Sequence, residues 1–199
     1  MANDLVRKGY DEAAEAYIAT RNIFHSKKYL EAFCKLVPKG RTVLDVGCGG
    51  GKPIDDYLVS RGLAVNGIDI SPKQIALAKQ HVPEAFYEVK DMSYLVEGEY
   101  GVDGIVSFYA VFHTPREKHP ELFTILASFL PTGGPLLITM GSSEWEGTED
   151  DFHGVKMFWS HYDAKKNTQM IKEAGFEIIL DEIDTSGNEK HQVILAKKR

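Results

Sequence analysis

An apolar segment that continues directly into a glycine-rich loop constrains this 199-residue chain more than any other feature. Residues 43–51 read VLDVGCGGG, in which Asp45 is followed by Gly47, Gly49 and Gly51. Glycine lets the backbone approach a ligand closely, because it carries no Cβ, and it adopts positive φ without strain. The segment therefore predicts a nucleotide-type site at the carboxyl end of a β-strand.

The rest of the chain alternates short apolar runs with longer helical ones. Such alternation is typical of strand–helix–strand units that build a mainly parallel sheet. The last two apolar runs are separated only by the turn-rich TSGNEK, which is too short for a crossover helix, so we expect these strands to pair antiparallel. Strands are predicted at TVLDV, AVNGIDI, AFYEV, VDGIVSF, PLLITM, FEIILDEI and HQVILA, and helices near 53–61, 72–80, 116–129 and 163–174.

Two segments fall outside this alternation. Residues 1–40 are predicted to form a helical N-terminal cap, because 3–21 and about 24–36 carry apolar residues at helical spacing. Residues 141–162 interrupt the pattern with glycine, acidic and aromatic residues, and an insertion of this kind predicts a lid. We expect a single domain over residues 1–199, because the chain is short for two ordinary domains.

Composition and charge argue against several classes of protein. The net charge of −6 is mixed in sign, so the broad basic surface that nucleic-acid binding requires is not expected. The N-terminus lacks the apolar segment of a signal peptide, and no run approaches the roughly 18 apolar residues needed to cross a bilayer. The two cysteines have no paired spacing, which fits a reducing compartment. We expect a cytoplasmic monomer or homodimer that binds neither membrane nor nucleic acid.

The spacing of the glycines separates two ligand classes that use such a loop. A dinucleotide fingerprint, G-x-G-x-x-G, would place its third glycine where this chain has Lys52. The pattern here is G-x-G-x-G, with an acidic residue two positions before the first glycine. In this pattern, and in the helical residues before it, the chain resembles the class I methyltransferases. The resemblance implies a three-layer Rossmann-like sandwich with a seven-stranded, mainly parallel sheet whose last strand is antiparallel, and S-adenosylmethionine as the cofactor.

The resemblance also assigns cofactor contacts to the ends of the first four strands. Asp69 would accept both ribose hydroxyls, although it could instead only help to cap the next helix, which Ser71 and Pro72 begin. Asp91 would accept the adenine amino group, with the Met92 backbone against the ring, unless it is a simple turn residue. The implied cofactor-binding residues are Tyr17, Asp45, Gly47, Cys48, Gly49, Gly51, Asp69, Ile70, Asp91, Met92 and Phe108.

Candidates for acceptor binding and catalysis come from three parts of the chain. His113 follows the fourth strand and would serve as a proton acceptor, but it could equally pack against the next helix. The aromatic residues of the insertion can hold a cationic or planar acceptor, or can anchor the lid to the core. His153 and His161 lack the partners of a metal site, so no metal is expected. The candidate acceptor-binding residues are Arg21, Tyr109, His113, Trp159 and His161; Arg21 could also be a solvated surface residue, and Tyr17 a packing residue.

The predicted function is transfer of a methyl group from S-adenosylmethionine to a small-molecule acceptor. A methyl group on a sulfonium is already activated, so the protein has to align the acceptor, exclude water and accept a proton where the acceptor needs it. Direct in-line displacement without a metal is expected, with His113 or His161 as the proton acceptor. Two alternatives are a module that binds S-adenosylmethionine without catalysis and an NAD-dependent oxidoreductase, which would share the sheet and the ribose carboxylate.

Overall fold

Most of the strands from Thr42 onward build one central sheet. The computed structural model describes residues 2–20, 23–186 and 190–199. Seven strands form the central sheet, and β6 and β7 form a separate hairpin. The strands are β1 (Thr42–Val46), β2 (Ala64–Asp69), β3 (Phe86–Val89), β4 (Gly104–Ser107), β5 (Pro135–Gly141), β6 (Trp145–Phe152), β7 (Val155–His161), β8 (Phe176–Asp184) and β9 (His191–Lys198).

The order of the strands in the sheet is β3-β2-β1-β4-β5-β9-β8. The first five strands of this order run parallel, and β9 runs antiparallel to both of its neighbours, β5 and β8. The predicted fold class and the antiparallel pairing of the last two strands are therefore confirmed. The chain order reverses between β1 and β4, and ligands of open α/β sheets bind at the carboxyl ends of the strands that flank such a reversal.

Helices precede the sheet and connect its strands. Helices α1 (Ala2–Thr20) and α2 (Ile23–Cys34) lie close to the two predicted N-terminal helices. The predicted helix at 116–129 begins instead as a 3₁₀ turn at Arg116–Lys118 and continues as α5. In the described part of the chain no helix is both long and apolar enough to span a bilayer. The connecting helices are α3 (Ile54–Ser60), α4 (Pro72–His81), α5 (His119–Ser128) and α6 (Ala164–Glu173).

The core lies on both faces of the sheet, because successive residues of a strand point to opposite faces. Leu44 and Ile105 belong to the apolar cluster that includes α5 and α6, whereas Val43 and Val106 belong to the cluster that includes α2 and α3. All four side chains are fully buried. Strands covered on both sides read as continuous apolar runs, which explains why they were recognisable in the sequence.

The insertion predicted at 141–162 is an antiparallel hairpin rather than an irregular segment. Gly141 still belongs to β5, and β6 and β7 pair from Trp145 opposite His161 to Phe152 opposite Val155. Helix α1 packs against this hairpin so closely that a Cβ on Gly9 would lie 2.8 Å from the Cε of Met157. The hairpin and α1 are therefore in contact beside the carboxyl edge of the sheet.

We expect Gly104→Ala to destabilise the fold through overpacking. A Cβ on Gly104 would lie 2.7 Å from Cζ of the fully buried Phe33, so α2 would have to move away from β4. Overpacking of this kind costs about 1–3 kcal/mol. Urea unfolding measures the loss, and Gly101→Ala is the matched control, because a Cβ there meets no atom within 4 Å. Equal stability of the two variants would contradict this packing.

Candidate active site

The loop after β1 brings backbone atoms to the carboxyl edge of the sheet. Gly47 and Gly49 have φ values of +82° and +53°, in the region that favours glycine. A Cβ on Gly47 would lie 2.2 Å from the Cβ of Ala110, so no larger residue fits there. Gly51 lies beneath the loop, where a Cβ would be 2.7 Å from the Tyr87 hydroxyl. Gly51 therefore lies on the side of the loop that packs against Tyr87. It is not one of the described residues that line the cleft.

A cleft of about 830 Å³, open mouth included, lies between this loop and α1. Tyr109 and His113 line it together with most of the residues that the sequence assigned to the cofactor. Burial raises the pKa of the Cys48 thiol well above its ordinary value, so this side chain stays protonated. The predicted cofactor residues in the lining are Tyr17, Asp45, Gly47, Cys48, Gly49, Asp69, Ile70, Asp91, Met92 and Phe108.

Asp69 joins the glycine loop to the start of α4. Its two carboxylate oxygens accept hydrogen bonds from the backbone N–H groups of Gly49 at 2.9 Å and Ser71 at 2.8 Å. Burial raises the pKa of Asp69 to about 6, although these two amides act in the opposite direction, so the group is ionised at neutral pH. A carboxylate offers about four acceptor positions, and the backbone uses two. Asp69 can therefore shape the turn and still accept hydrogen bonds from two adjacent hydroxyls.

Helix α1 crosses the cleft and is attached on both sides of it by polar side chains. Asn3 donates a hydrogen bond to Asp91 at 2.6 Å, and Asp11 accepts one from the Ser71 hydroxyl at 2.6 Å. The other oxygen of Asp91 accepts from the backbone N–H of Ser93. The carboxylate that the resemblance gives to adenine is therefore already oriented by two donors, one of them from α1.

His113 reaches the cleft in partnership with Tyr10. The Nδ1 of His113 lies 2.8 Å from the carbonyl oxygen of Phe158, which can only accept, so Nδ1 carries the proton. Burial lowers the pKa of His113 to about 4, so the ring is neutral and its Nε2 accepts the hydrogen bond of the Tyr10 hydroxyl at 2.8 Å. Both ring nitrogens are engaged, and Tyr10 and His113 both line the cleft.

Tyr10 and Asn3 are site residues that the sequence did not identify. Both lie on the same face of α1 as Val6 and Tyr17, which also line the cleft. Residues at these spacings recur on one side of a helix, so the periodicity that predicted α1 also held the signal for them. The periodicity gives no information about the contact between Tyr10 and His113, because these residues are 103 positions apart in the sequence.

The acceptor-binding candidates of the insertion lie elsewhere. Trp159 and His161 line a second cavity, together with Phe112 and His191. Tyr109 and His113 line the main cleft, and Arg21 lies outside the described residues. No three His, Cys, Asp or Glu side chains form a group able to hold a metal ion in the ranges 2–20, 23–186 and 190–199.

Comparison with known proteins identifies the family. Residues 43–134 match a family model described as a methyltransferase domain, and these residues include the glycine loop, Asp69, Asp91 and His113. Residues 43–134 therefore belong to a methyltransferase domain, and the chain is similar to the class I S-adenosylmethionine-dependent methyltransferases. Its cofactor is S-adenosylmethionine. The cleft fits this cofactor, because the loop permits close approach and Asp69 keeps acceptor positions for a ribose.

Two curated relatives are methyltransferases of small molecules. Phosphoethanolamine N-methyltransferase 3 of Arabidopsis thaliana is 28% identical over 176 residues, which are 84% of this chain and 35% of that protein. Ubiquinone biosynthesis O-methyltransferase of Coxiella burnetii is 30% identical over 116 residues, which are 56% of this chain and 47% of that protein. The chain therefore spans less than half the length of these two curated relatives.

Solved structures share the fold. A SAM-dependent methyltransferase of Methanosarcina mazei matches with a TM-score of 0.71 and 22% identity, over 82% of this chain and 95% of that one. Magnesium protoporphyrin IX methyltransferase of Synechocystis PCC 6803, solved with S-adenosylhomocysteine, matches with a TM-score of 0.75 and 16% identity over the whole of both chains. At these identities the two structures confirm the Rossmann-like fold.

A buried pair of carboxyl groups supports the glycine loop of this methyltransferase. The carboxyl of Asp55 accepts a hydrogen bond from the Tyr87 hydroxyl at 2.9 Å and makes another with the carboxyl of Asp45. Two carboxyl groups can form a hydrogen bond only when one of them holds a proton. Burial raises the pKa of Asp55 to about 7, against the lowering effect of these hydrogen bonds.

We expect Asp55→Asn to flatten the pH dependence of stability. The pKa of Asp55 is raised in the folded state, so ionisation opposes folding as the pH rises from the ordinary carboxyl value of about 4 towards 7. Asn cannot ionise, yet it can accept from Tyr87 and donate to Asp45. Between about pH 5 and 8 the wild type should lose roughly 2 kcal/mol more of its unfolding free energy than the variant.

Chemical denaturation at several pH values measures this difference. Asp56→Asn, at the exposed neighbouring position, should follow the wild-type curve. Parallel curves for Asp55→Asn and the wild type would show that Asp55 holds no proton at neutral pH.

Proposed function

We propose that the protein transfers a methyl group from S-adenosylmethionine to a small-molecule acceptor by direct in-line displacement, without a metal ion. The observation that carries this proposal is the convergence of the glycine loop, Asp69 and Asp91 in one cleft at the reversal of strand order. The two curated relatives, an N- and an O-methyltransferase of small molecules, support an acceptor of the same kind.

The chain's own residues have three tasks in this reaction. Bound S-adenosylmethionine supplies a methyl group whose bond to a positively charged sulfur breaks as a nucleophile attacks from the opposite side, with the bond pair going to sulfur. Asp69 and the loop orient the cofactor, and α1 covers the cleft and excludes water. Phe108 and Tyr109 lie in the lining at the end of β4, where they confine the approach of the acceptor.

The third task is acceptance of a proton when the acceptor is a hydroxyl or a protonated amine. The Tyr10 hydroxyl takes that proton while it passes its own proton to Nε2 of His113. Burial keeps the ring of His113 neutral, with its pKa lowered to about 4, so the lone pair of Nε2 is open to this proton, while the same low pKa makes the ring a weak base. This relay assigns the predicted proton-accepting role of His113 to a pair rather than to one residue, and it does not involve His161, which lines the second cavity.

The organisation of the whole chain is part of the same proposal. Residues 1–199 act as one domain, in which 141–162 serve as the lid. Within the predicted cap of residues 1–40, α1 covers the cleft, whereas α2 packs in the core on one face of the sheet. The close contact of α1 with the β6–β7 hairpin supports joint action of the two segments. We propose a cytoplasmic monomer or homodimer, with no nucleic-acid partner. The described residues contain no helix able to span a membrane.

We expect micromolar binding of S-adenosylmethionine and S-adenosylhomocysteine, and none of NAD. Asp69→Ala should weaken both interactions roughly 10- to 100-fold, because hydrogen bonds to a charged group contribute about 1.5–3 kcal/mol. Isothermal titration calorimetry gives the affinities, and Asp56→Ala, which removes an exposed carboxylate, serves as the control. Preference for NAD would contradict the proposal, and tight binding without transfer to any acceptor would favour a non-catalytic module.

We expect Tyr10→Phe to lower turnover without weakening cofactor binding. In a screen with methyl-labelled S-adenosylmethionine, the kcat for a hydroxyl acceptor should fall about 100-fold, which is typical for loss of a proton-transfer group. His113→Gln should fall similarly, whereas His161→Ala should retain turnover. Tyr94→Phe, at a ring that is 70% exposed, is the control. If Tyr10→Phe and His113→Gln both keep wild-type turnover, the relay does not operate.

A further inference from the structure

A second cavity opens beside the β6–β7 hairpin, separate from the cofactor cleft. Its volume is about 600 Å³, open mouth included. The rings of Phe112, Trp145, Trp159 and His161 line it, and they include both tryptophans of the chain. Trp145 stands at the surface with 44% of its side chain exposed, although it is one of the largest apolar residues of the protein. With His191, five ring systems surround one space, and such a space suits a flat, apolar ligand.

The second cavity shares a wall with the cofactor cleft. Tyr109 and His113 line the cleft, whereas Phe112 and His191 line the second cavity. The ring centroids of Tyr109 and His191 are 4.8 Å apart, and those of Phe112 and His113 are 5.2 Å apart. A ligand in the second cavity is thus one layer of side chains away from the cleft. Tyr109, in this wall, has a φ of +57°, which is unusual for a residue other than glycine and is found at functional sites.

Polar groups of the lining call for a hydroxyl on the ligand. The buried Nε1 of Trp159 is a donor without a hydrogen-bond partner in the described residues, and such a group favours a ligand oxygen. His161 donates from Nδ1 to the carbonyl oxygen of Ser143, so in the neutral ring its Nε2 is an acceptor. A hydroxyl of the ligand can donate to Nε2 of His161, which neither a hydrocarbon nor a carboxylate can do.

The charges of the lining favour an uncharged ligand. One carboxylate, Glu149, and one ammonium group, Lys190, line this cavity, so its formal charge is balanced. A cage for an organic cation would combine aromatic faces with a surplus of negative charge. A site for a phosphate would carry a surplus of positive charge.

We propose that this second cavity binds the ring system of a planar, uncharged aromatic compound that carries a hydroxyl group, and that this compound is the methyl acceptor. The assignment to the acceptor rests on the proposed function, because it requires the cofactor in the neighbouring cleft. Binding of the ring system itself does not depend on the cofactor. The reactive group of the acceptor is distinct from the hydroxyl held at His161, and it enters the cleft beside Tyr109 when the single layer of side chains between the two spaces moves aside.

Three probes of similar two-ring size test the chemical class. They are 2-naphthol, its saturated analogue decahydro-2-naphthol, and the cationic N-methylquinolinium. Isothermal titration of the full chain should show 2-naphthol binding about tenfold or more tightly than either of the others, because only 2-naphthol has both aromatic faces and an uncharged hydroxyl. Equal binding of the saturated alcohol would overturn the aromatic requirement. Tighter binding of the cation would overturn the requirement for an uncharged ligand.

Substitutions locate the binding and separate it from the cofactor. Trp145→Ala, which removes a surface ring, and Ser143→Phe, which fills the cavity, should each weaken 2-naphthol binding about tenfold. Tyr94→Ala, at an exposed ring outside both cavities, should bind as the wild type does. Unchanged binding by both cavity variants would overturn the proposal.

Asp69→Ala should retain 2-naphthol while it loses affinity for S-adenosylhomocysteine. If the wild type binds 2-naphthol but not S-adenosylhomocysteine, the proposed function is wrong, and the proposal of an aromatic site is unaffected. The reverse result, in which S-adenosylhomocysteine binds and 2-naphthol does not, would overturn the aromatic site alone.

Discussion

The close approach of the loop after β1 to the segment after β4 is the constraint on which the site depends. Gly47 and Ala110 meet so tightly that the space between them does not admit even a methyl group. Because β1 and β4 flank the reversal of strand order, this contact sets the floor of the cleft. Asp69 then ties the loop to the next strand through two backbone N–H groups. The cleft is thus built on backbone geometry, and side chains add its chemistry.

The wall opposite the loop is formed by α1 and depends on a few specific polar contacts. A helix that packed only through apolar residues could slide along its groove without much loss of energy. Asn3 donates to Asp91 and Ser93, Tyr10 donates to His113, and Asp11 accepts from Ser71 and from the backbone N–H of Lys73. These partners lie on three different parts of the sheet edge. The register of α1 is therefore fixed relative to Asp91, His113 and Ser71. Residues that are 60 to 103 positions apart in the chain act together for this reason.

Much of the fold was predictable because both faces of the sheet are covered. Strands such as β1 and β5 are continuous apolar runs, and the glycine loop has its own spacing. The strands β6 and β7 were not predicted, because β6 consists largely of exposed acidic and polar residues and has no apolar alternation. Hairpin pairing there depends on contacts with α1 and the sheet edge, which a single segment does not reveal.

The candidate site also contains some residues that the sequence predicts and others that it does not. Residues at strand ends, such as Asp69 and Asp91, line the cleft, because position in a parallel sheet determines where they lie. That they contact the cofactor stays a prediction. Gly51 does not line it, since the third glycine turns under the loop against Tyr87. Trp159 and His161 line another cavity, although they lie on the same face of β7 as Met157, which packs against α1; they lie further along the strand, beside Phe112 and His191. Tyr10 was overlooked because its role requires His113, and no spacing rule connects them.

The contacts of α1 are distributed unevenly along its length, so its two ends do not detach from the sheet edge equally readily. Asn3 lies in the first turn of the helix, and terminal turns open more readily than the middle. Tyr10 lies in the middle, where its ring also packs against Tyr17 and Phe152. The side of the cleft at Asp91 therefore opens first, while the side at His113 stays closed. Loosening of the first turn of α1 would therefore open the cleft at its Asp91 end without breaking the contact between Tyr10 and His113.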